Sequence, residues 1–273
     1  MRTVYLDGET DFEGWRTAAR QLCMEGQEPS RVHFIAGEVQ ANLFVDEVVP
    51  SPVPGRSLRV SKAFLGLAQD VILHRSASRF DLLYRLLWRL QSEPDLMKVT
   101  SDRDVREALE LAKNVSRASH KMKAFVRFRP VPGQDNTYAA WFEPEHYIVD
   151  RIAPFFLRRF AGMRWSIHTP YRSAVWDGQA LWLGPGGERS QVPQEDAGED
   201  LWRAYYANIF NPARLNTRMM RQEMPQKYWH LLPEAHLLPE LVRTAGARVQ
   251  AMAEREPEAP RRKIPARQRP ASG

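Results

Sequence analysis

Arg164-Trp165-Ser166-Ile167-His168, followed by Ser173-Ala174-Val175-Trp176-Asp177-Gly178-Gln179-Ala180-Leu181-Trp182-Leu183, is the stretch on which the fold class turns. Three short runs rich in β-branched and aromatic residues succeed one another, and Asp177-Gly178 is the strongest two-residue hairpin signal a sequence offers. Strands are therefore expected at Arg164 to His168, Ser173 to Trp176 and Ala180 to Leu183.

Outward from that hairpin the period changes. Glu145 to Phe160 repeats its apolar residues at helical spacing, with Pro154 predicting a kink or a break. Tyr138 to Phe142 reads as a strand, and Phe125-Val126-Arg127-Phe128-Arg129 alternates apolar with basic, as a strand hiding its aromatics and showing both arginines would. Asp102 to Ser119 places Val105, Leu109, Ala112 and Val115 on one helical face. Two more amphipathic helices carry Phe64, Leu67, Ala68, Val71 and Ile72, then Phe80, Leu83, Leu86, Leu87 and Leu90. The chain opens with a short strand at Val4 to Leu6 and a helix through Phe12, Trp15, Ala18, Ala19, Leu22 and Cys23. Leu43 to Val49 reads as a strand stopped by Pro50, Pro52 and Pro54, and Glu25 to Arg31 as a polar turn. Beyond the hairpin, Ala197 to Phe210, Ala213 to Met220 and Pro233 to Ala253 read as helices.

These elements predict a mixed α+β fold: a single compact domain over residues 1–254, with helices packed on short, largely antiparallel strands. Residues 50–58 are a candidate sub-boundary. Residues 255–273, with Pro257, Pro260, Pro265 and Pro270 among arginines and lysines, have almost nothing to bury and are expected to be a disordered basic tail.

The composition agrees with a globular protein: 43% of the 273 residues are hydrophobic and 26% charged. No apolar run approaches the roughly 18–20 residues of a membrane span, and the first residues contain no apolar secretory core, so a cytoplasmic location is expected. A single cysteine, Cys23, leaves no partner for a disulfide and no thiolate cage for zinc or an iron–sulfur cluster. The formal charge is +6, unevenly placed. From Met1 to Arg56 nine acidic residues stand against five arginines; from Arg117 to Arg172 ten basic residues stand against four acidic ones. An arginine-rich centre suits a polyanion, because the guanidinium fork grips phosphate with two parallel hydrogen bonds.

Generic catalytic motifs are missing. Gly184-Pro185-Gly186-Gly187 is followed by Glu188, not by the Lys-Ser/Thr of a phosphate-binding loop, and no Gly-x-Ser-x-Gly or His-Glu-x-x-His spacing occurs. Three clusters remain. In Phe142-Glu143-Pro144-Glu145-His146, either carboxylate could cap a helix N-terminus. Alternatively Glu143 and His146, joined by His120, could work as a general acid/base set or a weak metal site. In the second cluster Arg117, His120, Lys121, Lys123, Arg127, Arg129, Arg158, Arg159 and Arg164 offer phosphate contacts beside aromatics that read mainly as core. The third holds Asn211-Pro212, a helix start, with Arg214, and then Met224-Pro225-Gln226-Lys227-Tyr228-Trp229, whose rings either fill a core or stack on a base. No metal or cofactor is expected.

Taken together, Phe142-Glu143-Pro144-x-His146, Phe155-Phe156-x-x-Arg159-Phe160, Trp165-x-Ile167-x-Thr169-Pro170, Leu201-Trp202-x-x-Tyr205, Ile209-Phe210-Asn211-Pro212-Ala213-Arg214 and Met224-Pro225-x-Lys227-Tyr228-Trp229 resemble a bacterial DNA metabolism protein family. That family is defined by a domain of unknown function of about this length. His120-x-Met122-x-x-Phe125-Val126-Arg127-Phe128 is similar to the same pattern. The resemblance implies a bacterial protein that occurs beside a DNA repair or modification radical-SAM protein; some relatives carry a fused uracil-DNA-glycosylase-like domain. This chain ends at Gly273 without room for that fusion, so glycosylase activity of its own is not expected.

The expectation is a DNA-binding component of a bacterial repair or modification system, with Arg117 to Arg129 and Arg158 to Arg164 on phosphate and His120, Tyr228 and Trp229 nearest a base. RNA offers the same chemistry. The rivals are a base-processing enzyme using Glu143 and His146, and a protein-interaction adaptor with no DNA affinity of its own.

Overall fold

The computed structural model describes residues 1–37, 58–193, 211 and 215–254. The chain forms two compact units, Met1–Glu195 and Asp196–Gly273. The candidate boundary around 50–58, the strand expected at Leu43 to Val49, the helix expected at Ala197 to Phe210 and the tail 255–273 lie wholly or almost wholly outside the described residues.

The first unit is mixed α+β. Strand β1 (Arg2–Leu6) leads through helix α1 (Phe12–Met24) to β2 (Val32–Ala36), and the two strands pair in parallel, Arg2 opposite Val32 and Leu6 opposite Ala36. Asp11 caps α1 by accepting the Gly14 N–H at 2.8 Å. Helices α2 (Lys62–Ile72), α3 (Arg79–Arg89) and α4 (Arg103–Phe125) follow. Trp15, Leu22, Phe34, Phe64, Val71, Phe80, Leu83 and Val105 from these elements make one buried core. β2 begins just after the polar turn expected at Glu25 to Arg31 and is an element the sequence does not announce; its five residues, Val32-His33-Phe34-Ile35-Ala36, are too short for periodicity to separate from loop without the β1 partner.

The second layer is a five-stranded sheet, β3 (Arg129–Pro130), β4 (Thr137–Trp141), β5 (Arg164–His168), β6 (Arg172–Trp176) and β7 (Leu181–Pro185), in that spatial order. Three of its four pairings are antiparallel; β4 and β5 are parallel, joined by α5 (Val149–Arg159). The hairpin stands where Asp177-Gly178 placed it: the Asp177 carboxylate accepts the N–H groups of Gln179 and Ala180 at 2.7 Å, and Gly178 takes φ 98°. α5 runs through Pro154 without breaking. Pro154 lies on the exposed side, where water can serve a carbonyl deprived of its donor.

The alternation at Phe125 to Arg129 does not make a strand. α4 continues to Phe125, and only Arg129 and Pro130 pair with β4. Met122 and Phe125 continue the buried face that Val115, Ala118 and Ser119 begin, so one more helical turn buries what a strand would have shared between two faces.

In the second unit, Asn216 caps the helix Thr217–Glu223 by accepting the Met219 N–H at 3.0 Å. That helix begins four residues after the expected Ala213. Pro233–Leu237 forms a 3₁₀ turn leading into the helix Leu238–Ala253.

Candidate nucleic-acid interface

α4 sorts its charge along its length. At its start Asp102 accepts the N–H groups of Asp104 and Val105 at 3.0 and 3.1 Å, and the Arg89 guanidinium reaches Asp102 at 2.8 Å, Asp104 at 3.2 Å and Glu93 at 3.2 Å. The hydrogen bond from Arg89 is the main reason the Asp102 carboxyl is held below its ordinary range. The acidic end of α4 is thus internally balanced. The C-terminal half buries Val115, Ala118, Ser119, Met122 and Phe125, which leaves Arg117 and His120 exposed on the other face and Lys121 half-exposed. Lys113, one turn before Arg117, joins that exposed row. The sequence reading began its basic cluster at Arg117, although the i, i+4 spacing to Lys113 was there to be read.

The second basic run meets the first through aromatic rings. The Lys123 ammonium lies 5.1 Å from the Phe155 ring centre, and the Arg159 guanidinium 5.9 Å from that of Phe160. Between them Phe128 contacts Phe156, Phe160 and Trp165 at centroid distances of 5.7, 5.3 and 5.9 Å. Residues about thirty positions apart in the chain therefore border one aromatic cluster, with Phe156 and Trp165 buried in it as core. Lys123, Arg158 and Arg159 are exposed and make no ion pair among the described residues. Arg158 and Arg159 close the last turn of α5, where the helix dipole favours cations. Three other expected residues are tied to backbone carbonyls: Arg127 donates to Ala124 at 2.7 Å, Arg129 to Pro193 at 2.8 Å and Arg164 to Asp135 at 3.0 Å.

The acid/base set is assembled differently from expectation. Glu143 accepts the Trp141 indole N–H at 2.8 Å and does not cap α5, whose N-cap residue is Ile148; the first helical N–H, that of Val149, goes to the Tyr171 hydroxyl at 3.0 Å. His146 is buried, and its ring centre lies 4.1 Å from that of His74, the two planes tilted by 32°. The Arg75 N–H donates to His146 Nδ1 at 3.4 Å and the Ser76 N–H to His74 Nδ1 at 3.0 Å, so each Nδ1 serves as an acceptor. Burial above all, and then Arg79, holds His74 below its ordinary pKa, with Glu145 opposing them. His120 sits on the exposed face of α4. His74 went unnoticed because about seventy residues separate it from His146 and no spacing rule joins them.

In the second unit the Lys227 ammonium is 5.1 Å from the Tyr228 ring centre, and the Trp229 indole donates to the Met224 carbonyl at 3.0 Å. Tyr228 is 3% exposed; of the two rings, Trp229 is the one that keeps open surface. Arg214 lies outside the described residues.

A family model described as a domain of unknown function, DUF4130, matches residues 77–234, more than half of the chain. The chain belongs to the DUF4130 family. The matched DUF4130 span takes in α3, α4, α5, the five-stranded sheet and the Met224 to Trp229 segment, and so the basic and aromatic residues of α4 and α5, Glu143 and His146, while His74 lies just before it. No curated protein and no solved structure matches the chain. Among the described residues, no group of three or more His, Cys, Asp or Glu is placed to hold a metal ion, and no helix is long and apolar enough to cross a membrane.

Proposed function

We propose that this DUF4130 protein is a DNA-binding component of a bacterial repair or DNA-modification system, working in the cytoplasm beside a radical-SAM partner. One observation carries the DNA contact: Lys123 from α4 and Arg159 from α5 border a single aromatic cluster, and both, with Arg158 next in the chain, are exposed and without acidic partners among the described residues. The row Lys113, Arg117 and His120 extends that surface along α4. Such a row can follow a phosphate backbone without reading its bases. The radical-SAM partnership rests on the family resemblance of the sequence motifs.

The test is fluorescence anisotropy with single-stranded, duplex and uracil-containing DNA, and RNA, across a salt series. Binding led by phosphate falls linearly in log affinity against log salt, by about 0.9 in slope for each neutralised phosphate of a duplex. The triple substitution Lys123→Ala, Arg158→Ala, Arg159→Ala should flatten that slope by roughly 2 to 3. An unchanged slope refutes the assigned surface, and no affinity above background refutes the DNA-binding reading.

The adaptor reading has its own support. Val175 on β6 and Trp182 on the edge strand β7 are cross-strand neighbours on one face of the sheet, both exposed. Co-purification of the radical-SAM partner with the parent but not with a Trp182→Ser variant would favour it.

A further inference from the structure

We propose that a cleft among α1, α2 and α3 binds a small organic anion: a carboxylate on a compact apolar body. The cleft has a volume of about 220 Å³ and is lined by Trp15, Leu58, Phe64 and Leu87, with Arg16 and Arg20 beside them. An apolar cavity of about 150 Å³ takes a benzene ring. This cleft therefore has room for such a ring and a short acid group.

The chemistry of the ligand follows from the polar groups. Arg16 and Arg20 stand four residues apart on α1, so one turn of helix brings both to the same side of the cleft. Arg16 shares an exposed ion pair with Glu13 at 3.0 Å, a contact that contributes little and is readily exchanged. Arg20 has no hydrogen bond or ion pair among the described residues. In the wall, the buried Trp15 indole N–H also has no hydrogen-bond acceptor. A carboxylate supplies the acceptors that the guanidiniums require, and its apolar body covers Leu58, Val60 and Leu65, the lining side chains that keep open surface.

A cleft of about 220 Å³ admits one small anion and not a polymer. This site is separate from the basic surface on α4 and α5, and its test is independent of the DNA-binding reading.

The experiment titrates phenylacetate, and its neutral isostere phenylacetamide, into the full-length protein labelled with ¹⁵N. Saturable shifts of the Trp15 indole resonance, assigned through Trp15→Phe, are expected with phenylacetate, with the amide at least about tenfold weaker because it lacks the charge-assisted bonds. Arg20→Gln, an exposed substitution, should weaken phenylacetate about tenfold while leaving the amide unchanged. Leu65→Trp, which fills the cleft from α2, should abolish both while the circular dichroism stays that of the parent. Equal affinity for acid and amide, an Arg20→Gln variant that binds as the parent does, or no saturable shift at all overturns the proposal.

Discussion

Arg79 is the side chain whose removal should cost the first unit most for its size. It is 2% exposed at the first position of α3. Its Nε donates to the Ile72 carbonyl at 2.8 Å, Nη1 to the Ser76 carbonyl at 2.8 Å, and Nη2 to both the Glu9 carbonyl and the Glu9 carboxylate at 2.6 Å. One guanidinium thereby joins the end of α2, the turn before α3 and the loop after β1. Breaking a buried ion pair by deleting one partner costs about 3–5 kcal/mol. Glu9 is 39% exposed and can rehydrate, so its share of that cost is small and the low end applies. Arg79→Met, which keeps the length and removes the donors, should therefore lose about 3 kcal/mol. In a unit of this size the loss corresponds to a fall in Tm of roughly 6–12 °C. Urea titration followed by circular dichroism measures it, with Arg79→Lys expected to be intermediate, since one ammonium cannot span four acceptors set for a planar fork. A change below about 0.5 kcal/mol at unchanged m-value would refute the reasoning, because it would mean that these carbonyls and Glu9 find other donors.

Three further outcomes are expected. A Cβ on Gly186 would overlap the carbonyl oxygen of Pro170, so Gly186→Ala should destabilise by about 1–3 kcal/mol in the same urea assay, and a neutral result would show that the turn after β7 yields freely. His74 and His168 are both held below the ordinary histidine pKa of 6.5, chiefly by burial. The unfolded chain therefore takes up their protons first, and stability should fall as the pH drops below about 6.5 and level off below the folded-state values; His74→Gln should reduce that slope, and a slope identical to the parent's would count against the paired rings. Asp102 gives an acid-range counterpart: its carboxyl is held below 3.8 mainly by Arg89, so its contribution is present above that pH and disappears as the pH falls through the lowered value, a component that Arg89→Gln should remove from the acid unfolding curve.

The hairpin was legible because its information is local. Asp177-Gly178 needs only neighbouring N–H groups and a positive φ, and both are present. The helical faces at Phe64 to Ile72 and Phe80 to Leu90 were legible for the same reason, since the amphipathic period is written in consecutive residues. The end of α4 was not legible. Phe125 to Phe128 fits a period of 2 or of 3.6 over so short a run, and burial on the core side of α4 decides between them.

The candidate site divides in the same way. Residue type and charge, readable along the chain, marked Arg117 to Arg129 and Arg158 to Arg164 as basic and Phe125 and Phe156 as core. Which basic groups would share a surface was a matter of long-range packing: Lys123 of α4 meets Phe155 of α5, while Arg129 is drawn to the Pro193 carbonyl. His146 depends wholly on such packing, because its neighbour His74 comes from the far side of α3 and α4 in sequence. By itself the sequence determined what short-range forces determine: the period of the helices, the hairpin turn, the mixed α+β class and the sign of charge in each segment. Only the tertiary structure decided the parallel pairing of β1 with β2 and of β4 with β5, the burial of Arg79, the approach of His74 to His146 and the meeting of two basic runs. Each of those joins residues whose separation along the chain leaves no periodic trace, and what brings them together is the burial of the apolar surfaces beneath them.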